Sequence, residues 1–195
     1  MRKVIVSEFL SLDGVMQAPG GPDEDRRGGF EHGGWQLGNF DETAGADIIE
    51  SIGSSGGLIL GRQTYETFAS YWPNVPADDP FGGPMNDLPK FVASTTLQEP
   101  LAWKNSTLIQ GNAPEGVAAL KGQPGNDLIV IGSGVLAQTL MQHGLVDRFR
   151  LMIHPVLLGS GERLFRGGTS KMPLRLVDSK TTTTGVMILT YEPAG

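Results

Sequence analysis

The sequence predicts an α/β fold built on a mostly parallel sheet, and three observations carry that prediction. Short apolar runs, Val4–Leu10, Gly57–Leu60, Lys90–Ala93 and Asp127–Ile131, alternate with segments of helical periodicity. Those runs show little polar–apolar alternation, as expected of strands covered on both faces. The last two β-rich segments, Leu174–Lys180 and Gly185–Glu192, have no helix between them. An antiparallel C-terminal edge is therefore expected on a parallel sheet with helices on both faces.

Each element has a local reason. Val4–Leu10 is β-rich, and the turn residues Ser11-Leu12-Asp13-Gly14 stop it. Asp41–Ser51 begins the next element, with Ala44, Ile48, Ile49 and Ile52 at helical spacing and Asp41 placed as an N-cap. The buried strand Gly57–Leu60 runs into a helix over Arg62–Ser70. Lys90–Ala93 ends in Ser94-Thr95-Thr96. Thr107–Gln110 is a short strand, Glu115–Leu120 a short helix and Asp127–Ile131 a strand. A helix over Gly134–His143 stops at Gly144, and the strand Val146–His154 stops at Pro155. Glycine and proline, 28 and 13 residues, concentrate in Ala18–Gly38 and Trp72–Pro89. The first reads as a long loop beside a site and the second as a connection. Strand-like runs continue on both sides of each, so the chain reads as a single domain over 1–195.

Composition narrows the chemistry. A net charge of −6 argues against a broad nucleic-acid or membrane surface. There is no cysteine, which removes disulfides and thiol catalysis. His32, His143 and His154 are scattered, so no metal site is expected. No run approaches the ~18 apolar residues of a membrane span. The N-terminal apolar run is short and carries Glu8, so it reads as a strand rather than a leader, and a cytoplasmic protein is expected.

Three junctions suit an anionic ligand. In GLILGRQTYE, Gly57–Glu66, a strand runs into Gly61, and Arg62 opens a helix with Thr64 nearby. Helix amides and a cation together favour phosphate. In FVASTTL, Phe91–Leu97, a strand ends in hydroxyl residues, which also make ordinary turns. In VIGSGVLAQTL, Val130–Leu140, Gly132-Ser133-Gly134 leads into a helix. Its G-x-G-x-x-A spacing is close to a dinucleotide fingerprint. That fingerprint belongs after a first strand, with an acid ending the second. Here it begins at residue 132, and Asp147 stands at the start of the next strand instead of ending it. The Rossmann reading fails, and phosphate cradling remains. A dinucleotide draped across all three junctions is the reading they support together.

The substrate side is less legible. Asp13, at a strand end, is a candidate for orienting substrate or relaying a proton. Trp35, in GGFEHGGW, is a candidate wall for a planar ring. Asp41, Glu42 and Asp47 lie on the first helix. His154, before Pro155, reads as structural, and Glu162-Arg163 as a turn ion pair.

GLILGRQTYE resembles the strand–Gly-Arg–helix segment of dihydrofolate reductases, and VIGSGVLAQTL resembles their second cofactor loop. Ser11–Gly14 (SLDG), Gly144–Asp147 and Pro155–Gly159 resemble the reductase domain of riboflavin biosynthesis, the C-terminal half of the bifunctional deaminase-reductase. SLDGVMQAPGGPDED and GGFEHGGW are similar to the stand-alone members of that superfamily. The resemblance covers essentially the whole chain. It implies a dihydrofolate reductase-like sheet, NADPH as cofactor and hydride transfer to a planar nitrogen heterocycle, pyrimidine- or pterin-like. It implies Gly61, Arg62 and Thr64 at the adenosine phosphates, assisted by Ser94 and Thr95. Gly132, Ser133, Gly134, Val135 and Leu136 would hold the pyrophosphate and nicotinamide side. It also implies a homodimer. The chain departs from the pattern on the substrate side. Gly45 stands where dihydrofolate reductases carry an acid, Ile131 where riboflavin-pathway reductases carry one before the Gly-Gly loop, and Val15 where a basic residue follows SLDG. A true dihydrofolate reductase and a nucleotide-binding protein without turnover are the alternative readings.

Overall fold

The computed structural model describes residues 1–109, 111–166 and 171–194. Its eight strands are β1 (Val4–Ser11), β2 (Gly57–Gly61), β3 (Lys90–Ala93), β4 (Ser106–Leu108), β5 (Leu128–Ile131), β6 (Arg148–His154), β7 (Leu174–Thr181) and β8 (Met187–Pro193). They form a mostly parallel sheet in the order β4-β3-β2-β5-β1-β6-β8-β7. Its helices are α1 (Glu42–Gly53), α2 (Arg62–Tyr71), α3 (Gly82–Asp87), α4 (Ala113–Gly122) and α5 (Gly134–Gln142). The predicted elements are present with small shifts at their ends. The predicted strand over 107–110 ends at Leu108, and Gln110 lies outside the described residues.

The chain groups into two compact units: Met1–Ile5 with Ile48–Asp147, and Val6–Asp47 with Arg148–Gly195. In the first, β2 runs parallel to both β3 and β5, with Gly61 opposite Ala93 and Ile59 opposite Val130. The three junctions singled out above therefore share one end of these strands. The core beneath them gathers Ile52, Leu58, Leu60, Tyr65, Met85, Val92, Trp103 and Ile129. A polar knot sits inside it. Lys90 is buried, and its Nζ lies 4.1 Å from the Trp103 ring centre and donates to the Asn86 and Lys104 carbonyls. Trp103 donates Nε1–H to Asn86 Oδ1 at 2.7 Å, and its backbone N–H goes to the Tyr65 hydroxyl at 3.0 Å. Burial pushes the Lys90 ammonium down to about 8.

α3 lies in a stretch whose Gly-Gly-Pro composition reads as connection. Asp79 makes the helix possible by accepting the N–H groups of Phe81 and Gly82 at 2.9 and 2.8 Å. Gly82 is required by close approach: a Cβ there would stand 2.5 Å from Val75 Cγ1 and 2.8 Å from the Pro76 oxygen.

In the second unit β8 pairs antiparallel with both β6 and β7, as the missing helix predicts. Asp41 caps α1 through Oδ1, which accepts from Ala44 N at 2.9 Å. Its Oδ2 accepts from the hydroxyl and N–H of Thr183 in the β7–β8 turn. Led by the Thr183 hydroxyl, these donors draw Asp41 down to about 2. Asp47 is buried and paired with Arg150 and Lys180.

Candidate functional site

The first unit builds a two-loop corner from few parts. Gly132 and Ser133 both take positive φ, +58° and +55°, turning the chain sharply from β5 into α5. Ser133 then meets the start of α2. Its hydroxyl accepts from Gly61 N at 2.9 Å, and its own N–H goes to Thr64 Oγ1 at 2.8 Å. A Cβ on Gly132 would stand 3.0 Å from the same Thr64 oxygen. Glycine is required there by conformation and by space. The Ser133 and Thr64 side chains therefore join the two loops, a role their sequence does not reveal.

This pairing brings two helix N-termini together at adjacent strand ends. The first-turn amides of a helix have no acceptor within it and carry a partial positive charge. No side chain caps either start. Arg62, more than half exposed, adds a cation: Nη1 donates to Thr96 Oγ1 at 3.1 Å, and Nε lies 3.9 Å from Glu66. Ser94 accepts the N–H groups of Thr96 and Leu97, forming a hydroxyl turn, and Thr95 is exposed. Thr96 is the hydroxyl that reaches Arg62. Val135 is exposed at the start of α5, and the Leu136 side chain is buried in the core. Backbone amides, glycine conformation and one guanidinium fit a dinucleotide's phosphates.

The second unit holds the predicted substrate residues. Asp13 Oδ1 accepts from the Ser11 hydroxyl at 2.7 Å and from Leu158 N at 3.1 Å; Oδ2 accepts from Gly159 N at 2.9 Å and Arg163 Nη2 at 3.2 Å. The Ser11 hydroxyl, then the two amides, hold this carboxyl well below the usual carboxylate range. Asp13 thereby ties the segment after β6 to the end of β1, and Arg163 is drawn into the same tie.

The Gly-rich loop is organised by buried Gln17. It donates to the carbonyls of Asp25 and Arg27 and accepts from Glu162 N. Its own carbonyl accepts Trp35 Nε1–H at 2.7 Å. Half-buried Trp35 lies edge-on to His154, with ring centres 5.2 Å apart, and Phe9 lies 5.9 Å from the same imidazole. His154 is 1% exposed, and neither ring nitrogen has a hydrogen-bond partner among the described residues. Burial lowers its pKa to about 4, so the ring is neutral. His32 is exposed and packs edge-on to Phe30. His154 is the residue that sequence reasoning set aside; a lone histidine before a proline carries no signal of its pairing. Among the described residues, no cluster of three or more His, Asp or Glu is arranged to hold a metal ion.

Comparison with known proteins places this geometry in a family. A family model described as the RibD C-terminal domain matches residues 2–188. The uncharacterised proteins YyaP and YwjB of Bacillus subtilis (strain 168) are 28% and 27% identical; the alignments cover 98% and 92% of this chain and 95% and 91% of theirs. A Shewanella sp. PV-4 protein named for riboflavin biosynthesis superposes with a TM-score of 0.74 at 24% identity, covering 99% of each chain. A pyrimidine reductase-like protein of Corynebacterium diphtheriae superposes with a TM-score of 0.65 at 14% identity, covering 100% of this chain and 92% of its own. These two likenesses establish the fold. No helix among the described residues is long and apolar enough to cross a membrane.

Proposed function

The chain belongs to the RibD C-terminal domain family, a reductase-like family, and on that premise we propose an NADPH-dependent reductase of a planar nitrogen heterocycle. The observation that carries the cofactor is the joining of two uncapped helix starts through Ser133, with Arg62 exposed beside them. In this reading the amides of Gly134 and Val135 and those opening α2 receive the phosphates. Arg62, steadied by Thr96, takes the 2′-phosphate that distinguishes NADPH from NADH. Bound there, NADPH would supply a hydride to an electrophilic C=N carbon of the substrate, with a proton from solvent completing the reduction at its nitrogen. The protein contributes orientation and a field that favours the anion.

On the substrate side, Trp35 is the stacking wall of this reading, and Asp13 acts by fixing the loop after β6. A pyrimidine-type ring of the riboflavin route, an aminouracil carrying a sugar phosphate, is favoured over a pterin. Two of the three first-helix acids are engaged elsewhere: Asp41 with Thr183, and Asp47 with Arg150 and Lys180. The enzyme would act in the cytoplasm. It would do so as a homodimer: Leu176 and Tyr191 are register partners on one face of the antiparallel edge, and Leu174, Leu176, Met187 and Phe165 are exposed. Sedimentation of wild type and Leu176→Lys tests that, with a monomeric wild type counting against it.

The deciding measurement for the cofactor is fluorescence titration with NADPH and NADH. A preference for NADPH that Arg62→Ala removes is expected; binding of neither nucleotide overturns the reading.

A further inference from the structure

His154 is a neutral imidazole sealed in the second unit with both nitrogens unused. One nitrogen of such a ring donates and the other accepts, so it is matched by a partner offering both functions. No described residue supplies that partner. The neighbouring rings are Phe9 and Trp35, and the one polar atom they carry, Trp35 Nε1, is committed to the Gln17 carbonyl. A single buried water needs two to four polar contacts, and these aromatic walls give it few. A metal ion needs further ligands, and no group of three is present among the described residues.

What suits two aromatic rings and a neutral donor–acceptor edge is a flat heterocycle whose rim alternates N–H and C=O. Trp35 is the part able to admit it. The indole is half-buried and belongs to a loop tied down by Gln17 and by the Gly34 N–H to Ala18 carbonyl bond. Turning it outward uncovers the imidazole and leaves the indole face for stacking.

We propose that His154 is a substrate-contacting residue that reads the N–H/C=O edge of a planar heterocycle admitted by displacement of Trp35. The proposal deepens the reductase reading and rests on it for the identity of the reaction. Its binding claim stands by itself.

Lumazine (pteridine-2,4-dione) is the probe, chosen because its pyrimidine edge carries the required alternation. Its affinity is measured by equilibrium dialysis for wild type, His154→Phe and His154→Gln. NADPH affinity and melting temperature are measured on the same proteins. His154→Phe is expected to weaken lumazine binding at least tenfold, and His154→Gln to recover most of the loss. NADPH affinity stays within about twofold throughout. His154→Phe should also melt higher than wild type, because it removes two unsatisfied polar atoms from the interior. Lumazine should quench wild-type fluorescence, with the quench lost in Trp35→Phe. Unchanged lumazine affinity in His154→Phe, or no lumazine binding by wild type, overturns the proposal. Absence of NADPH binding instead overturns the cofactor assignment and leaves the lumazine result to decide His154.

Discussion

The corner around Gly132 and the enclosure around His154 handle polar groups in opposite ways. In the corner, each short hydroxyl side chain is spent on the protein itself. Ser133 takes the Gly61 amide, Thr64 takes the Ser133 amide, and no side chain caps either helix start. In the enclosure, Gln17 and Asp13 are saturated with internal bonds, and one imidazole is left with none. In the proposed reading, ligand recognition falls to backbone and one cation in one region and to a single side chain in the other. Backbone recognition tolerates many side chains and suits a cofactor shared across a family. Recognition by a side chain is changed by one substitution and suits a substrate that differs between members.

The most damaging way to break the comparison acts on the corner's backbone. Gly132→Val puts a β-branched side chain at φ +58° against Thr64, 3.0 Å from the new Cβ. Left-handed strain alone costs on the order of 1–3 kcal/mol, and the contact adds to it. Urea denaturation should show a loss of about 3 kcal/mol, with NADPH binding abolished. A stable variant that still binds NADPH would show that the turn is not what aligns the two helix starts. Asp13→Ala is expected to cost about 2 kcal/mol, the scale of losing charge-assisted bonds to two amides and Arg163. Its effect belongs to the second unit, so NADPH affinity at 10 °C should hold while lumazine affinity falls. Equal loss of both would erase the division of labour.

How much of this was legible in the sequence follows from the same contrast. Strand runs, helix spacing and the antiparallel edge follow from local pattern and were read correctly, apart from α3, whose start depends on Asp79 and whose packing depends on Gly82. Gly132 was legible because a positive φ leaves a residue-type mark. The roles of Thr64 and Ser133 were not, because their bonds span 69 and 72 residues of sequence. The contact of Thr96 with Arg62 was not legible either, since the turn capped by Ser94 decides which hydroxyl meets the guanidinium. His154 was illegible for a deeper reason: its importance lies in bonds it does not make.

Acid sharpens the comparison next, since the enclosure contains a buried titrating group and the bonds that join the corner's two loops are between hydroxyls and amides. Burial lowers the His154 pKa from 6.5 to about 4, so between those values the unfolded chain binds more protons than the folded one. The contribution to stability is full above pH 6.5 and is lost as pH falls toward 4. By pH 5 the loss is about 2 kcal/mol. Urea midpoints at pH 7 and pH 5 should differ by less in His154→Phe than in wild type, by about that amount. An identical pH dependence would mean that the imidazole is protonated in place.

The smallest effect concerns whether Arg62 works alone. Its bond to Thr96 is exposed, and its pairing with Glu66 at 3.9 Å is loose. Exposed contacts of this kind are worth less than about 1 kcal/mol because solvent screens them and the side chain gives up freedom to make them. Thr96→Ala should therefore weaken NADPH binding by no more than about fivefold, against the roughly ten- to hundredfold expected for Arg62→Ala. The direction is informative even at that size. If the hydroxyl only steadies the guanidinium, NADPH alone is affected and NADH binding is untouched. If Thr96→Ala weakens both nucleotides equally, the hydroxyl meets a part they share. The end of β3 would then contact the cofactor directly, and the corner would no longer rest on backbone and one cation.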